Sequence, residues 1–380
     1  MTLVDTRDPS FDTYCDEGVE RAMALGNRGP ISFTDDGDLH PDIVEAYGRC
    51  GFYVFEGVVA DEELQELRVG IDAALERAPY PDRHSAVDRH GRPALGLDWA
   101  LSPWTMAAPL SDPVGGTSAN NGRHHIKMHE PEAPSDAPAH VPLLVGSGLR
   151  LSDAFLRVFG HPGLLRVAEH FNGPDFTPFT EVLFVKEPGL GPSVSWHQDG
   201  QLHWDSPQWD QNIHGFNFQV QLYGSTPRNG VWVVPGTHRL GRVDIAERMR
   251  ANGGSDRWPD GVPLVCGPGD CTMTNRQTLH GSFPNTSNER RITVNFGFHR
   301  RSSVLGQRGV LSGTGNLYDE EYVRERCRTI PLAIDARAQR FPDEERYEYA
   351  PTVGEEDRHR YTPENAAAIL TDYNTRDLGI

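Results

Sequence analysis

The stretch FNFQVQL, residues 216–222, alternates apolar and polar side chains along its whole length. The stretch RITVNFGF, residues 291–298, alternates in the same way after its opening arginine. Successive side chains of a β-strand point to opposite faces, so each stretch predicts a strand with one face packed against protein and one polar face. Because candidate metal ligands lie near both stretches, we expect the polar faces to line a polar cavity.

Strand-length segments separated by Gly, Pro and Asn turns fill the chain from residue 180 to residue 300. Besides the two above, they are TEVLFVKEPG at 180–189, SVSWHQD at 193–199, GVWVVPG at 230–236 and CTMTN at 271–275. Short strands at this spacing are typical of an all-β barrel or sandwich. Elsewhere the patterns predict a strand at 51–57, helices at 60–78 and 318–330, and helix at 150–171 broken at Gly160-His161-Pro162. The sequence therefore predicts a mainly β protein with flanking helices.

The charge balance is strongly acidic, because 36 Lys and Arg residues oppose 54 Asp and Glu residues, a formal net charge of −18. A field of this sign repels polyanions, so we expect neither nucleic acid nor a membrane surface as a partner. No apolar run is long enough to span a bilayer, and the N-terminus lacks a secretory signal. The cysteines are too few and too dispersed for a disulfide framework, which predicts reduced thiols in a cytoplasmic protein.

His-x-Asp pairs are candidate metal ligands, because the two-residue period of a strand points both side chains to one face. The sequence contains three: His40/Asp42, His197/Asp199 and His203/Asp205. The first has a proline between its members, which is typical of a turn or a helix start. The third follows Gly200 and precedes Ser206-Pro207, as a loop after a strand would. The second ends an alternating run directly before Gly200, which places both side chains at the mouth of a strand.

A second imidazole is available in CTMTNRQTLH, which we predict to be a strand ending at His280. Two imidazoles and one carboxylate on one face of a metal leave the other face open, the arrangement of non-haem iron(II) oxygenases. Arg291 opens the next strand and can grip a carboxylate with its two-pronged guanidinium. Ser282 can donate a further hydrogen bond, whereas Arg290 points to the opposite face by alternation.

These motifs resemble the phytanoyl-CoA dioxygenase family of iron(II)- and 2-oxoglutarate-dependent oxygenases. The shared features are KEPG before WHQD, then NGVWVVPGTH, GD and LHGSFPNTSNERR, over roughly residues 48–75 and 178–300. The resemblance implies a double-stranded β-helix, or cupin-like jelly roll, with helices packed on one side. It also implies iron(II), 2-oxoglutarate as co-substrate, O₂, and hydroxylation of a small molecule with release of succinate.

Carried over by position, the resemblance makes His197, Asp199 and His280 the iron ligands. Arg291 and Ser282 become contacts of 2-oxoglutarate. The same comparison makes Gln219 and Lys127 two further co-substrate contacts. His238 matches a histidine of the family that is not a ligand. Halogenating relatives replace the carboxylate with Gly or Ala, so the aspartate disfavours chlorination. The acidic chain shows no basic cluster for the phosphates of an acyl-CoA, and the family name is therefore not taken as the substrate.

The resemblance implies a single oxygenase domain over residues 1–380, with a core at about 45–300 and a C-terminal extension at 301–380. Residues 80–141 are rich in Pro, Gly, His, Asp and Ser, with one short strand predicted at HHIKMH, 124–129. So long an irregular segment is usually a functional cover or else disordered. We expect residues 104–140 to cover the metal site and to order when substrate binds, because closure excludes water.

Candidate substrate-wall residues are Trp196, His203, Trp204 and Trp232, although core packing is the alternative for each tryptophan. The same cofactor chemistry also serves desaturation, cyclisation and epimerisation, which product analysis would separate. An alternative from another class is a non-catalytic metal-binding jelly roll.

The two neighbouring His-x-Asp pairs can be told apart by iron titration. Asp199→Ala removes an anionic ligand and should weaken iron binding and abolish turnover, whereas Asp205→Ala should leave iron binding nearly intact. The reverse order of affinities would refute the ligand assignment.

Overall fold

The computed structural model describes residues 8–310, 315–371 and 373. The strands are β1 Arg28–Gly29, β2 Phe52–Phe55, β3 Trp104–Ala107, β4 Val141–Gly146, β5 Thr177–Lys186, β6 Val194–His197, β7 Phe216–Gln221, β8 Trp232–Val233, β9 Val262–Pro263, β10 Cys271–Asn275, β11 His280–Ser282 and β12 Arg291–His299. The α-helices are α1 Pro9–Met23, α2 Pro41–Cys50, α3 Asp61–Leu75, α4 Gly148–Leu151, α5 Asp153–Phe159, α6 Pro162–Asn172, α7 Ile245–Ala251, α8 Arg301–Val304, α9 Glu320–Cys327, α10 Thr329–Arg340 and α11 Pro363–Leu370. Short 3₁₀ turns are Ala119–Gly122, Thr237–Arg239, Ala350–Thr352 and Glu356–His359.

The strands form a large sheet and a small sheet. The order in the large sheet is β1-β2-β10-β7-β12-β5-β4-β3, and the order in the small sheet is β6-β11-β8-β9. Side chains from both sheets line one cavity, which therefore lies between them. The protein is a jelly roll with flanking helices, as predicted.

The alternation predicted from the sequence is confirmed in β7 and β12. Val294 of β12 is in register with Val220 of β7 and with Leu183 of β5, and all three are buried in the main hydrophobic core. The helices α3, α5, α6 and α10 supply the other side of that core. Burying each such side chain contributes about 1.5–3 kcal/mol, so this face fixes the register of the sheet.

The opposite face of the same strands is polar and turns toward the cavity. Asn217 and Gln219 of β7, and Arg291 and Asn295 of β12, all line it. Gln219 and Asn295 are direct cross-strand partners. The predicted polar cavity is thus formed by the alternation itself.

Two predicted strands differ from the structure. CTMTN forms β10, but the chain then turns, with the amide of Thr278 donating to the carbonyl of Asn275 at 2.9 Å, and His280 begins β11 instead of ending β10. HHIKMH is not a strand. Its side chains are alternately buried and exposed, but it joins neither sheet, and Ile126 and Met128 pack in a second core with residues of the small sheet.

The helical predictions are largely confirmed, including the break between α5 and α6 at Gly160-His161. The helix predicted at 318–330 is divided into α9 and the start of α10. Ile330, Leu332 and Ala333 of α10 belong to the main core, so part of the predicted C-terminal extension completes the helical layer. None of the helices described by the structure is both long enough and apolar enough to cross a membrane.

Gly160 lies at the end of α5, where α10 approaches closely. A Cβ added at this position would lie 2.4 Å from the carbonyl oxygen of Ala333, which is backbone and cannot move aside cheaply. We expect Gly160→Ala to lower the free energy of unfolding by about 1–3 kcal/mol through overpacking. Gly48 lies in α2 with nothing within 4 Å of its added Cβ, and Gly48→Ala should raise stability by about 0.4–1 kcal/mol. Denaturant titration of both variants tests this packing; equal changes would contradict it.

Candidate metal centre

The small sheet brings two histidines together. His197 is the last residue of β6, His280 is the first residue of β11, and the two are direct partners in the antiparallel ladder. Their ring centroids are 4.2 Å apart. Asp199 lies two residues beyond the strand, where its amide donates to the carbonyl of Arg276 at 2.8 Å. Backbone pairing therefore sets the positions of all three side chains.

These three side chains form a compact donor cluster. One ligand atom from each lies within 4.8 Å of the others. Asp199 Oδ1 is 3.4 Å from His197 Nε2, and Asp199 Oδ2 is 3.7 Å from His280 Nε2. The residues are only 4%, 8% and 9% exposed in the order His197, Asp199, His280. Two imidazoles and one carboxylate at these distances have the composition of the iron(II) facial triad.

Each imidazole is held in the tautomer that a metal requires. His197 Nδ1 lies 2.8 Å from the carbonyl oxygen of Ser195, and His280 Nδ1 lies 2.8 Å from that of Thr278. A carbonyl oxygen only accepts, so each Nδ1 donates, and in the neutral form of each ring Nε2 then keeps its lone pair. Burial, with His197 close by, lowers the pKa of His280 to about 4, which keeps that ring neutral at pH 7.

Asp199 is kept ionised by its neighbours. Arg123 Nη1 lies 3.1 Å from Asp199 Oδ1, and Asn217 Nδ2 donates to Asp199 Oδ2 at 3.2 Å. Burial by itself would raise the pKa of Asp199, but Arg123, His280 and His197 outweigh it and hold that pKa well below the usual value. The cluster therefore offers an anionic oxygen and two imidazole nitrogens, a donor set that fits a divalent metal.

The cavity beside the cluster has a volume of about 420 Å³ and contains a buried arginine. Arg291 is 2% exposed, and its one hydrogen bond among the described residues joins Nη2 to Thr293 Oγ1 at 3.4 Å. Its Nε has no partner, and no carboxylate in the described part of the chain pairs with it. Burial lowers its pKa to about 10, which still leaves it charged. A buried, unpaired guanidinium fits the carboxylate of a bound ligand.

The family model of phytanoyl-CoA dioxygenase (PhyH) matches residues 47–293. The chain belongs to the phytanoyl-CoA dioxygenase family. This family consists of iron(II)- and 2-oxoglutarate-dependent oxygenases, so the protein is an oxidoreductase that uses iron(II), 2-oxoglutarate and O₂. The matched range includes all of the donor cluster and Arg291.

The chain is also similar to several solved structures. EctD from S. alaskensis, solved with 2-oxoglutarate and 5-hydroxyectoine, is 17% identical with a TM-score of 0.47 over 72% of this chain and 81% of that one. The non-haem alpha-ketoglutarate-dependent epimerase SnoN from nogalamycin biosynthesis is 17% identical. The match has a TM-score of 0.42 and covers 67% of this chain and 80% of that chain. EvdMO1 is 20% identical, TM-score 0.45, over 67% of this chain and only 48% of that chain. No curated protein sequence matches the chain.

The structure brings several predicted residues of this family member to the cavity and leaves others outside. Ser282 and Gln219 line the cavity together with the donor cluster and Arg291. Lys127 does not: its side chain is 57% exposed, and its ammonium group pairs with Glu130 at 3.0 Å. The extended segment that carries Lys127 turns its alternate residues inward, and this lysine falls on the outer side.

None of the four predicted substrate-wall residues lines the cavity. Trp196 stacks on Trp258 and Trp232 stacks on Tyr14, and both are fully buried in the second core. His203 Nε2 bonds to the carbonyl of Ser303, and Trp204 donates to the carbonyl of Gly200 in the loop after β6. Trp196 and Trp232 follow the core-packing alternative, because they face away from the cavity side of the small sheet. Trp204 is half-buried in its loop and belongs to neither outcome.

The other histidine candidates have structural roles. His40 caps the N-terminus of α2, accepting from the amide of Asp42 at 3.3 Å, which confirms the predicted helix start. His238 is buried against α2 with Nε2 3.2 Å from the carbonyl of Gly48. His203/Asp205 lies in a loop outside both sheets, as predicted.

Polar and charged cavity residues that the sequence did not predict include Asn217, Asn295, Arg123, His124, Glu181 and Arg276. The two asparagines lie on the polar faces that alternation had already marked, so that signal could have found them. Arg123 and His124 come from the covering loop, where no periodicity indicates which side chains turn inward.

Arg291 and Arg290 form a matched pair for testing the co-substrate site. Arg291→Lys keeps the charge but loses the planar two-pronged grip, so the KM for 2-oxoglutarate should rise by roughly tenfold or more, each 1.4 kcal/mol being tenfold. Arg290 instead pairs with Asp72 at 2.6 Å and Glu187 at 2.8 Å, away from the cavity. Arg290→Lys should leave that KM unchanged. Equal changes in KM would contradict the assignment.

Proposed function

We propose that the protein hydroxylates a small-molecule metabolite and couples this to decarboxylation of 2-oxoglutarate to succinate. The observation that carries the proposal is the buried cluster of two histidines and one aspartate that shares a cavity with the unpaired Arg291. A metal-binding module without activity would have no use for a buried cation beside its metal. Iron(II) bound with 2-oxoglutarate and O₂ supplies the oxidising power for removing hydrogen from an unactivated carbon.

In this proposal His197, Asp199 and His280 hold the iron through two Nε2 atoms and one carboxylate oxygen. The carbonyl groups of Ser195 and Thr278 fix the ring orientations, and partners of this kind also raise the basicity of the ligating nitrogen. The strand pairing holds the donors in place before the metal arrives, so little reorganisation accompanies its binding.

Arg291, Ser282 and Gln219 are proposed to bind 2-oxoglutarate. The far carboxylate would accept from the Arg291 guanidinium, and the Ser282 hydroxyl would donate a further hydrogen bond. Gln219 lines the cavity, and its amide nitrogen can donate to a carboxylate oxygen; its buried side-chain oxygen has no partner among the described residues. These contacts orient the co-substrate, and burial of the site excludes water from it.

The size and lining of the cavity support a small substrate. At about 420 Å³ it lies in the lower part of the 300–1,000 Å³ range of small-molecule sites and also has to hold the co-substrate. Its walls combine apolar side chains, among them Leu143, Phe179, Phe184 and Phe296, with many polar and charged ones. Such a site suits a compact, partly apolar metabolite better than the nucleotide of an acyl-CoA.

We also propose that the chain forms one domain and acts in the cytoplasm. The single domain is supported by α10, which lies outside the predicted core range of about 45–300 but packs in the main hydrophobic core. The cytoplasmic location is supported by the five cysteines, which are all free thiols and all buried.

A succinate-release screen tests the proposed function. Purified protein with iron(II), ascorbate and 2-oxoglutarate should release succinate faster when the true substrate is added, and mass spectrometry should show a product 16 Da heavier than that substrate. His280→Ala should abolish this release. His40→Asn, which keeps a helix-capping side chain far from the cavity, should not alter it. Loss of two hydrogens or a product of unchanged mass would instead indicate desaturation or epimerisation, and metal binding without any succinate would indicate a non-catalytic module.

A further inference from the structure

Arg123 and His124 are consecutive residues of the covering loop, and each contacts one of the two proposed ligands at the end of β6. Arg123 Nη1 donates to the carbonyl oxygen of Asp199 at 3.1 Å and lies 3.1 Å from Oδ1 of the same residue. One guanidinium nitrogen thus contacts both the main-chain carbonyl and the side-chain carboxylate of Asp199. This pair of contacts fixes the rotation of the Asp199 carboxylate relative to its own backbone.

His124 makes the matching contact with His197. The two ring centroids are 4.2 Å apart, and His124 Nδ1 lies 3.3 Å from the carbonyl oxygen of Ser195 and 3.2 Å from its Oγ. The same carbonyl oxygen accepts from His197 Nδ1. His124 is 1% exposed, so its ring is held between the covering loop and β6.

The segment that carries these two residues is closed at its base. We refer to residues 112–128 as the covering segment. The Asp112 carboxylate accepts from the amides of Gly115 at 3.0 Å and Met128 at 2.8 Å, which ties the two ends together. Ile126 and Met128 are buried in the second core. The base of the covering segment is therefore anchored independently of the metal site. Arg123 and His124 connect the rest of the segment to the metal site.

We propose that Arg123 and His124 are positioning residues that couple the covering segment to the metal site. This inference rests on the proposed function, in which Asp199 and His197 bind iron. Arg123 orients the carboxylate and compensates its charge in a buried site, where an unpaired carboxylate would be costly. Coupling between two sites is reciprocal. If closure of the covering segment raises the affinity for metal by some factor, metal binding raises the equilibrium constant for closure by the same factor.

In this proposal the metal, and not the substrate, drives closure of the covering segment. A substrate-driven lid would leave the covering segment equally open with and without metal, until substrate arrives. Here the metal alone is enough, because both contacts are made to the metal ligands. The segment is thus assembled with the metal centre and provides a finished wall for the substrate.

Cobalt(II) binding and hydrogen exchange together test the proposal without any turnover. Cobalt(II) affinity is read from the visible absorbance of the bound ion, in the absence of 2-oxoglutarate and substrate. Arg123→Met should weaken cobalt(II) binding by roughly 10- to 100-fold, the usual effect of removing a partner that orients a metal ligand. Arg123→Lys, which keeps the charge but cannot span both oxygens so well, should fall between Arg123→Met and the unaltered protein. His125→Ala is the matched control, because His125 is the exposed neighbour in the same segment, and it should leave the affinity unchanged.

Hydrogen exchange measures the other half of the coupling. Cobalt(II) should slow amide exchange in peptides from the covering segment of the unaltered protein and of His125→Ala, and should not slow it in Arg123→Met. Thermal unfolding of the metal-free variants reports whether each one folds, and Arg123→Lys provides the comparison if Arg123→Met does not. Unchanged or tighter cobalt(II) binding by folded Arg123 variants, or exchange that cobalt(II) does not slow, overturns the coupling alone. Absence of cobalt(II) binding by the unaltered protein overturns the proposed ligand set, and the coupling with it.

Discussion

The pairing of β6 with β11 is the constraint on which the rest of the site depends. His197 and His280 are direct cross-strand partners, and such partners have Cβ atoms about 4.5–5.5 Å apart. That spacing brings both imidazoles within reach of one ion. Gly281 permits the close approach of the strands, because a Cβ there would lie 3.1 Å from the backbone of Trp196. Backbone geometry thus places the donors, and carbonyl groups two residues before each histidine orient them.

A second constraint is electrostatic and belongs to the large sheet. Arg291 of β12 and Lys186 of β5 are register partners, and both are buried. Burial, with Arg291 close by, lowers the pKa of Lys186 well below its usual value. The shift disfavours a charge on Lys186, whose Nζ donates to the carbonyl of Phe283, and Arg291 is left as the buried cation of this pair that lines the cavity. A carboxylate of the proposed co-substrate would compensate the charge of Arg291 at this end of the cavity.

The sequence was most informative where a short-range pattern determines geometry. Alternation predicted which faces of β7 and β12 are polar, and a glycine directly after His197/Asp199 selected the pair that lies beside His280. The strand predicted to end at His280 was wrong because the chain leaves one sheet and enters the other within a few residues, and a turn of that kind has no distinct period. Arg123 and His124 were missed because their positions depend on how the covering segment folds over the small sheet, which is a long-range property.

The cavity has two parts, one formed by paired strands and proposed to bind the metal and co-substrate, the other formed largely by the covering loop. The proposed metal and co-substrate contacts come from strands of the two sheets, whose register the core fixes. Much of the remaining wall comes from residues 101–147, including Leu101, Pro103, Val114 and Leu143, and from the cavity face of β5. Loops accept sequence change more readily than paired strands, because fewer backbone hydrogen bonds depend on them. We therefore expect substrate selection in this chain to depend mainly on the covering loop and on β4, which follows it, while the pairing of β6 with β11 places the two proposed histidine ligands.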